Sequence, residues 1–288
     1  MKLDTTIKKI HTLDHGLLAQ AQTKLDRLTK PLGSLGRLEE LAAQYVAISG
    51  EIHPSCPRAR VLTLAADHGV VAEGVSAYPS SVTAQMVANF LQGGAAINVL
   101  ARQVGAEVQV VDMGVAGNLE NLTGLVHRNV SHGTKNMALG PAMSRDDAQR
   151  SVEIGIELVE QAVAEGVCLV ATGEMGIGNT TSSAAITAVM AAQSVSHVTG
   201  RGTGVDDAGL SNKVRVIEQA LQVNRPQASD PLDVLLKVGG FEIGGLVGVI
   251  LGSAACKIPV ILDGFISGAA ALLAVGLSPA CQDYMISS

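Results

Sequence analysis

The sequence predicts an α/β protein: an open parallel sheet flanked by helices. Three observations lead there. Short apolar runs rich in Val, Ile and Leu alternate with longer stretches of helical periodicity, the pattern of strand–crossover–strand units. The runs at 60–66, 107–115, 167–172 and 258–262 end in polar or glycine-rich residues, and open α/β sheets bind ligands at the carboxyl ends of their strands. The third is composition: of 288 residues 47% are hydrophobic, yet there is no Trp and only three Tyr and three Phe. A core made of Ala, Val, Leu, Ile and Gly suits helices packed closely on a buried parallel sheet.

Taken in order, residues 1–55 read as a helical arm and 56–288 as the α/β domain. In the arm Leu17, Ala21, Leu25 and Leu28 share one face, and Leu38, Leu41, Ala42 and Tyr45 share another. A Pro/Gly break from Thr29 to Glu39 separates them. Arg60 to Ala66 is the first strand, running into Asp67-His68-Gly69-Val70. No second ligand stands at metal spacing, so a structural Asp67–His68 hydrogen bond is expected there and no metal site. One helix from Val82 to Val104 follows, and Tyr78, Ser80, Ser81, Gln85 and Met86 around its start line an entrance. Glu107 to Val115 is the second strand and Val126 to Val130 a short third. Ser144 with Asp147 forms a capping box that opens a helix from Arg145 to Glu165.

The next stretch, Val167 to Thr181, reads as a buried strand, a glycine-rich turn and the start of a helix over 182–192. Gly173, Gly176 and Gly178 can adopt positive φ and leave no Cβ between backbone and ligand. Backbone N–H groups there and the positive end of the helix predict an anion cradle from Gly176, Ile177, Gly178, Asn179, Thr180 and Thr181. Glu174 is out of place beside an anion, which points it to the ribose or to the reaction itself. A second glycine loop, Gly200-Arg201-Gly202-Thr203-Gly204, precedes a helix carrying Leu210, Val214, Ile217 and Leu221. Lys213, on that helix, is directed at the same phosphate or at a carboxylate. Short helices begin at Asp230-Pro231 and at Gly239 to Glu242; Ile258 to Leu262 is the last strand, ending in Asp263 before a helix to Val275. A parallel sheet brings Asp67, Glu174 and Asp263 to one edge, with both glycine loops. That crevice fits a phosphate and a ribose.

Several function classes fall away. The net charge of −6 and the scarcity of aromatics leave neither a phosphate-tracking patch nor stacking platforms for nucleic acid. The apolar region 243–277 is interrupted by Lys257, Pro259 and Asp263, so it reads as buried helix, strand and helix rather than a membrane span. Cys56, Cys168, Cys256 and Cys281 are far apart, and they are expected to be free thiols in a cytoplasmic protein. The glycine loop lacks the G-K-[ST] of a Walker motif, which counts against a small-molecule kinase.

Longer motifs carry more. KPLGSLGRLEE at 30–40, AADHGV at 65–70 and EGVSAYPSSVTAQMVANFLQGGAAINVLA at 73–101 are followed by GEMGIGNTT at 173–181. GRGTGVDD at 200–207, GGFEIGGLVG at 239–248 and IPVILDGF at 258–265 complete the series. Together they closely resemble the nicotinate-nucleotide–dimethylbenzimidazole phosphoribosyltransferase family, from about residue 15 to the end. The resemblance implies a Rossmann-like sheet, a small helical subdomain drawn from both chain ends, and a homodimer. It implies transfer of a phosphoribosyl group from nicotinate mononucleotide to 5,6-dimethylbenzimidazole in cobalamin nucleotide-loop assembly, without metal or cofactor. Glu174 and Lys213 then fall beside ribose and base as catalytic residues. Gly176 to Thr181, Arg201 to Gly204 and Asp263 hold phosphate and ribose, and Tyr78, Ser80, Gln85 and Met86 lie in the base-binding segment. The family's Gly-Glu-Gly-[ST]-Gly segment, whose glutamate is its general base, does not occur in these residues. Impaired turnover, or a non-catalytic nucleotide-binding homologue, is therefore also an expectation.

Overall fold

The computed structural model describes residues 1–288. Before the first strand come α1 (Lys2–Ile7), α2 (His15–Asp26) and α3 (Arg37–Ser49), and then β1 (Ala59–Ala66). Next are α4 (Ser81–Leu91), α5 (Ala96–Val104), β2 (Glu107–Gly114), β3 (Val126–His127) and α6 (Arg145–Ala164). The middle of the chain supplies β4 (Leu169–Met175), α7 (Asn179–Met190), α8 (Val195–Val198), α9 (Asp207–Asn224) and α10 (Pro231–Val238). Last are α11 (Phe241–Ala255), β5 (Val260–Leu262), α12 (Gly264–Leu277) and β6 (Met285–Ser287).

The six strands form one sheet in the order β3-β2-β1-β4-β5-β6, and every pairing is parallel. This is the doubly wound order of a Rossmann-type sheet, whose direction of growth reverses between β1 and β4. Connections leaving those two strands diverge, and a crevice opens at their carboxyl ends.

Alternation along β1 divides the core. Leu62, Leu64 and Ala66 join the large cluster that contains α6 and α11, whereas Ala65 joins a smaller one with Val87 and Phe90 of α4. Helix α11 is buried on all sides from Phe241 to Ala254, which is why its sequence is apolar without an amphipathic stripe. It touches α6 backbone to backbone. A Cβ at Gly155 would lie 2.0 Å from the Gly245 carbonyl, and one at Gly248 1.9 Å from that of Val152. Small residues close this interface, which accounts for a large core with almost no aromatics.

The structure differs from the sequence reading in five places. The single helix expected over 82–104 is two, because Gly93 turns left-handed (φ +77°) and Asn98 Oδ1 caps the second by accepting from the Ala95 N–H at 3.2 Å. Apolar periodicity on both sides hid the break. A sixth strand, β6, pairs with β5 through Val260 and Met285, so β5 is not the last. Gly173 lies inside β4, and of the three glycines in that stretch only Gly178 has positive φ (+98°). Cys56 and Cys168 form a disulfide with Cα atoms 5.3 Å apart, because parallel pairing of Ala59 with Leu169 brings the residues before both strands together. Only Cys256 and Cys281 are free. Finally, Leu3 and Ile10 belong to the large core, while α2 and α3 pack on each other through Ala21, Ala43 and Val46. The apolar region 243–277 is helix, strand and helix as expected, and no helix is long and apolar enough to cross a membrane.

Candidate active site

The crevice is built around the turn from β4 into α7. A Cβ on Gly176 would sit 2.4 Å from the Ala66 carbonyl, and one on Gly178 3.1 Å from His68 Cβ. Neighbouring protein thus fills the space where side chains would go. The turn also spends its own donors. The Ile177 N–H goes to Thr83 Oγ1 at 3.1 Å, the Asn179 N–H to the Gly176 carbonyl at 3.1 Å, and the Thr181 N–H to the Gly178 carbonyl at 3.0 Å. The expected open row of N–H donors is therefore a fixed, largely self-satisfied turn. Thr181 is fully buried with its hydroxyl unpartnered inside, facing no ligand cavity.

Glu174 stands at the carboxyl end of β4 and accepts a hydrogen bond from the Asn179 side-chain amide. Burial pushes its carboxyl up to about 7; the nearby Glu242 and Asp263 charges add to this, while the Asn179 bond and His68 oppose it. A carboxylate that ionises near neutrality can exchange a proton in either direction.

That carboxylate lines a cavity of about 290 Å³ together with Asp263, Thr63, Thr172 and the apolar Val61, Met86, Phe90 and Ile97. It is a mainly apolar slot that also carries two acids. Of the four residues expected at the base, Met86 lines this slot. Tyr78, 52% exposed, and the exposed Gln85 lie outside the lining, as does Ser80. Phe90 and Ile97 were not singled out from sequence, because a Phe and an Ile at helical spacing look like ordinary core.

Across the turn lies a second cavity of about 400 Å³, lined by Thr180, His197, Thr199, Gly200, Gly202 and Phe265, and no carboxylate faces it. Behind its wall Lys213, 1% exposed, donates to Thr180 Oγ1 at 2.7 Å. Burial draws this ammonium down to about 8. Gly202 packs against both: a Cβ there would be 2.9 Å from Lys213 Nζ and 2.9 Å from Thr180 Oγ1. The structure brings together Thr180, Gly202 and Lys213 as the sequence suggested. It turns Arg201 away: the guanidinium pairs with Asp207 and donates to the Val205 carbonyl at 3.0 Å. Thr203 and Gly204 are exposed and outside the cavity.

The expected Asp67–His68 bond is absent. Asp67 Oδ2 instead accepts from the Ala116 N–H at 2.9 Å, and His68 Nε2 meets Glu242 Oε1 at 2.5 Å. Glu242 is 174 residues away in sequence, and a local reading had no means of finding it.

Comparison with known proteins places this geometry. The profile of a family described as Phosphoribosyltransferase matches residues 10–288. The nicotinate-nucleotide–dimethylbenzimidazole phosphoribosyltransferase of Geobacter metallireducens is 56% identical over 286 residues, which is 99% of this chain and 81% of that protein. Its namesake in Desulforamulus reducens is 58% identical over 287 residues, 99% of this chain and 82% of that protein. Among solved structures, CobT from Thermus thermophilus superposes with a TM-score of 0.90 at 45% identity, covering 94% of this chain and 81% of that one. With the motifs, the sheet order and the crevice in agreement, this chain belongs to the nicotinate-nucleotide–dimethylbenzimidazole phosphoribosyltransferase family.

Proposed function

We propose that this chain transfers the 5-phosphoribosyl group from nicotinate mononucleotide to 5,6-dimethylbenzimidazole, giving α-ribazole 5′-phosphate and nicotinate, in cobalamin nucleotide-loop assembly. One observation carries the reading. A carboxyl group ionising at about 7 lines a mainly apolar slot, and a second cavity with no carboxylate in its lining, backed by a buried lysine, begins at Thr180 on the helix that follows. A flat aromatic base fits the slot between Met86, Phe90 and Ile97, with its N–H toward Glu174. The phosphate takes the other cavity, where Thr180 and Gly202 meet it at the amino end of α7 and the Lys213 ammonium supports it from behind Thr180.

The ribose then spans the turn, with C1′ between the base nitrogen and nicotinate. As the C1′–N bond to nicotinate breaks, its electron pair returns to the pyridinium nitrogen, so no acid is needed there. Positive charge develops on the ribose, and Glu174 and Asp263 stabilise it. The benzimidazole lone pair forms the new bond on the opposite face, inverting C1′, and Glu174 accepts the proton from the other nitrogen. Proton removal by a placed carboxylate contributes about 10²–10⁴-fold. Holding both substrates across a fixed turn supplies the orientation.

We further propose a cytoplasmic homodimer in which α2 and α3 act as an arm beside the main domain, into whose core α1 is packed. The support is apolar surface: Leu100 is 63% and Val104 76% exposed on α5, next to the open side of the sheet. The direct test is chromatographic. The protein is incubated with nicotinate mononucleotide and 5,6-dimethylbenzimidazole, and α-ribazole 5′-phosphate should accumulate in step with nicotinate. Tight substrate binding without product would make it a nucleotide-binding homologue instead.

A further inference from the structure

Three elements meet beneath the β4–α7 turn through side chains to which the transfer chemistry above gives no role. His68, which follows β1, is hydrogen-bonded through Nε2 to Glu242 on the first turn of α11 at 2.5 Å. Its Nδ1 lies 3.0 Å from Ser182 Oγ on α7. The set resembles a hydrolase triad but cannot act as one, because Ser182 is 1% exposed and His68 and Glu242 side chains are 0% exposed.

We propose that the buried His68–Glu242 pair is a positioning unit for the transfer: it fixes the Gly176–Gly178 turn from below and presents one positive and one negative charge to the Glu174 carboxylate. The turn sits directly on the pair. A Cβ at Gly176 would lie 3.2 Å from Glu242 Oε1 and 3.4 Å from His68 Cδ2, and one at Gly240 would lie 2.3 Å from His68 Cε1. Glycine at 240 follows from the pair, and at Gly176 the pair adds to the nearer obstacle of the Ala66 carbonyl at 2.4 Å. Stability alone does not call for such charges, since apolar residues of similar volume do as well or better in place of a buried ion pair. Glu242 Oε2 also has no partner in the protein, so the pair carries an unspent acceptor under the site.

The charges act on Glu174 with opposite sign. Burial pulls the His68 imidazole down, but Glu242, and then Asp67 and Glu174, more than reverse this and leave it above its ordinary value. The charged groups facing Glu174 are Glu242 from α11, His68 from the end of β1 and Asp263 from the end of β5; the Asn179 amide faces it from α7. His68 favours the ionised carboxylate, and Glu242 disfavours it.

The inference rests on Glu174 being the proton acceptor, and its test is the pH profile of kcat/KM in two variants. In either variant the remaining partner, fully buried and unpaired, gives up its charge as well, so Glu242→Gln and His68→Gln should both move the acid limb to lower pH, because Glu242 outweighs His68 at Glu174. Both should raise KM for nicotinate mononucleotide about tenfold or more, since the turn is released. A merely structural role raises KM and leaves the acid limb where it is. A limb that stays in place or moves to higher pH overturns the inference and leaves the transferase reading standing. A wild-type protein that forms no α-ribazole phosphate overturns both. A measurement on the wild type covers variants that do not fold: ¹⁵N NMR of histidine-labelled protein should find both His68 nitrogens protonated at neutral pH. A neutral His68 ring there overturns the inference.

Discussion

The chain has two glycine loops that look alike in sequence and are held by different physics. The first, entering α7, is built into the core: Ile177 is 5% exposed, and a Cβ at Gly176 or Gly178 would run into Ala66, Val71 or His68. The second, entering α9, lies on the surface. A Cβ at Gly204 would meet nothing within 4 Å, and its glycine is there for its φ of +100°. Only Gly202, pressed against Lys213 and Thr180, touches the cavity. At Gly176 in the first loop glycine permits close approach, and at Gly204 in the second it permits a turn. A glycine-rich motif alone does not say which.

The contrast orders the expected effects of substitution. Gly176→Val forces a branched side chain against the Ala66 carbonyl and should be the most damaging. Calorimetry should find nicotinate mononucleotide binding weakened about a hundredfold or more, or the fold lost. Unchanged affinity would erase the distinction between the loops. Lys213→Ala comes next: loss of a buried ammonium at the phosphate cavity should lower kcat/KM more than about tenfold. Wild-type steady-state kinetics in that variant would remove the lysine from the phosphate site.

Glu174 and Lys213 together predict a pH dependence. Glu174 must be ionised to accept a proton, so kcat/KM should rise as pH increases through about 7. Lys213 must be charged to hold phosphate, so it should fall above about 8. Lys213→Ala should lose the alkaline limb and keep the acid one; a wild-type profile flat from pH 6 to 9 runs against both assignments. Smallest of all is Arg201→Ala. Its guanidinium is engaged with Asp207 and Val205 at the surface, so KM should change less than about threefold. A tenfold rise would show that this loop closes on the ligand.

Much of this was legible in the chain. Five of the six strands, the capping box at Ser144 and the buried run at 243–277 follow from local periodicity and turn chemistry, which are properties of short windows. The placing of Asp67, Glu174 and Asp263 at the carboxyl ends of β1, β4 and β5 followed from the strand pattern. What stayed hidden depends on distant pairing. Glu242 meets His68 only because α11 crosses beneath β1 and β4; Cys168 meets Cys56 only because those strands are neighbours. Arg201 was placed at the phosphate by its glycine loop and the family resemblance, and the start of the following helix supplied it a partner in Asp207. Strand β6, Met285–Ser287, is not part of any longer apolar run in the sequence, and only its pairing with β5 marks it as a strand.

The central claim is that Glu174 accepts the proton lost by the incoming base. Glu174→Gln keeps the size of the side chain and a polar group facing Asn179, and removes the carboxylate. Initial rates of α-ribazole 5′-phosphate formation, measured with saturating nicotinate mononucleotide and 5,6-dimethylbenzimidazole, should fall about 10²–10⁴-fold, and the acid limb near pH 7 should disappear. Formation at the wild-type rate with the limb still in place would contradict the claim and move the proton acceptor to another group.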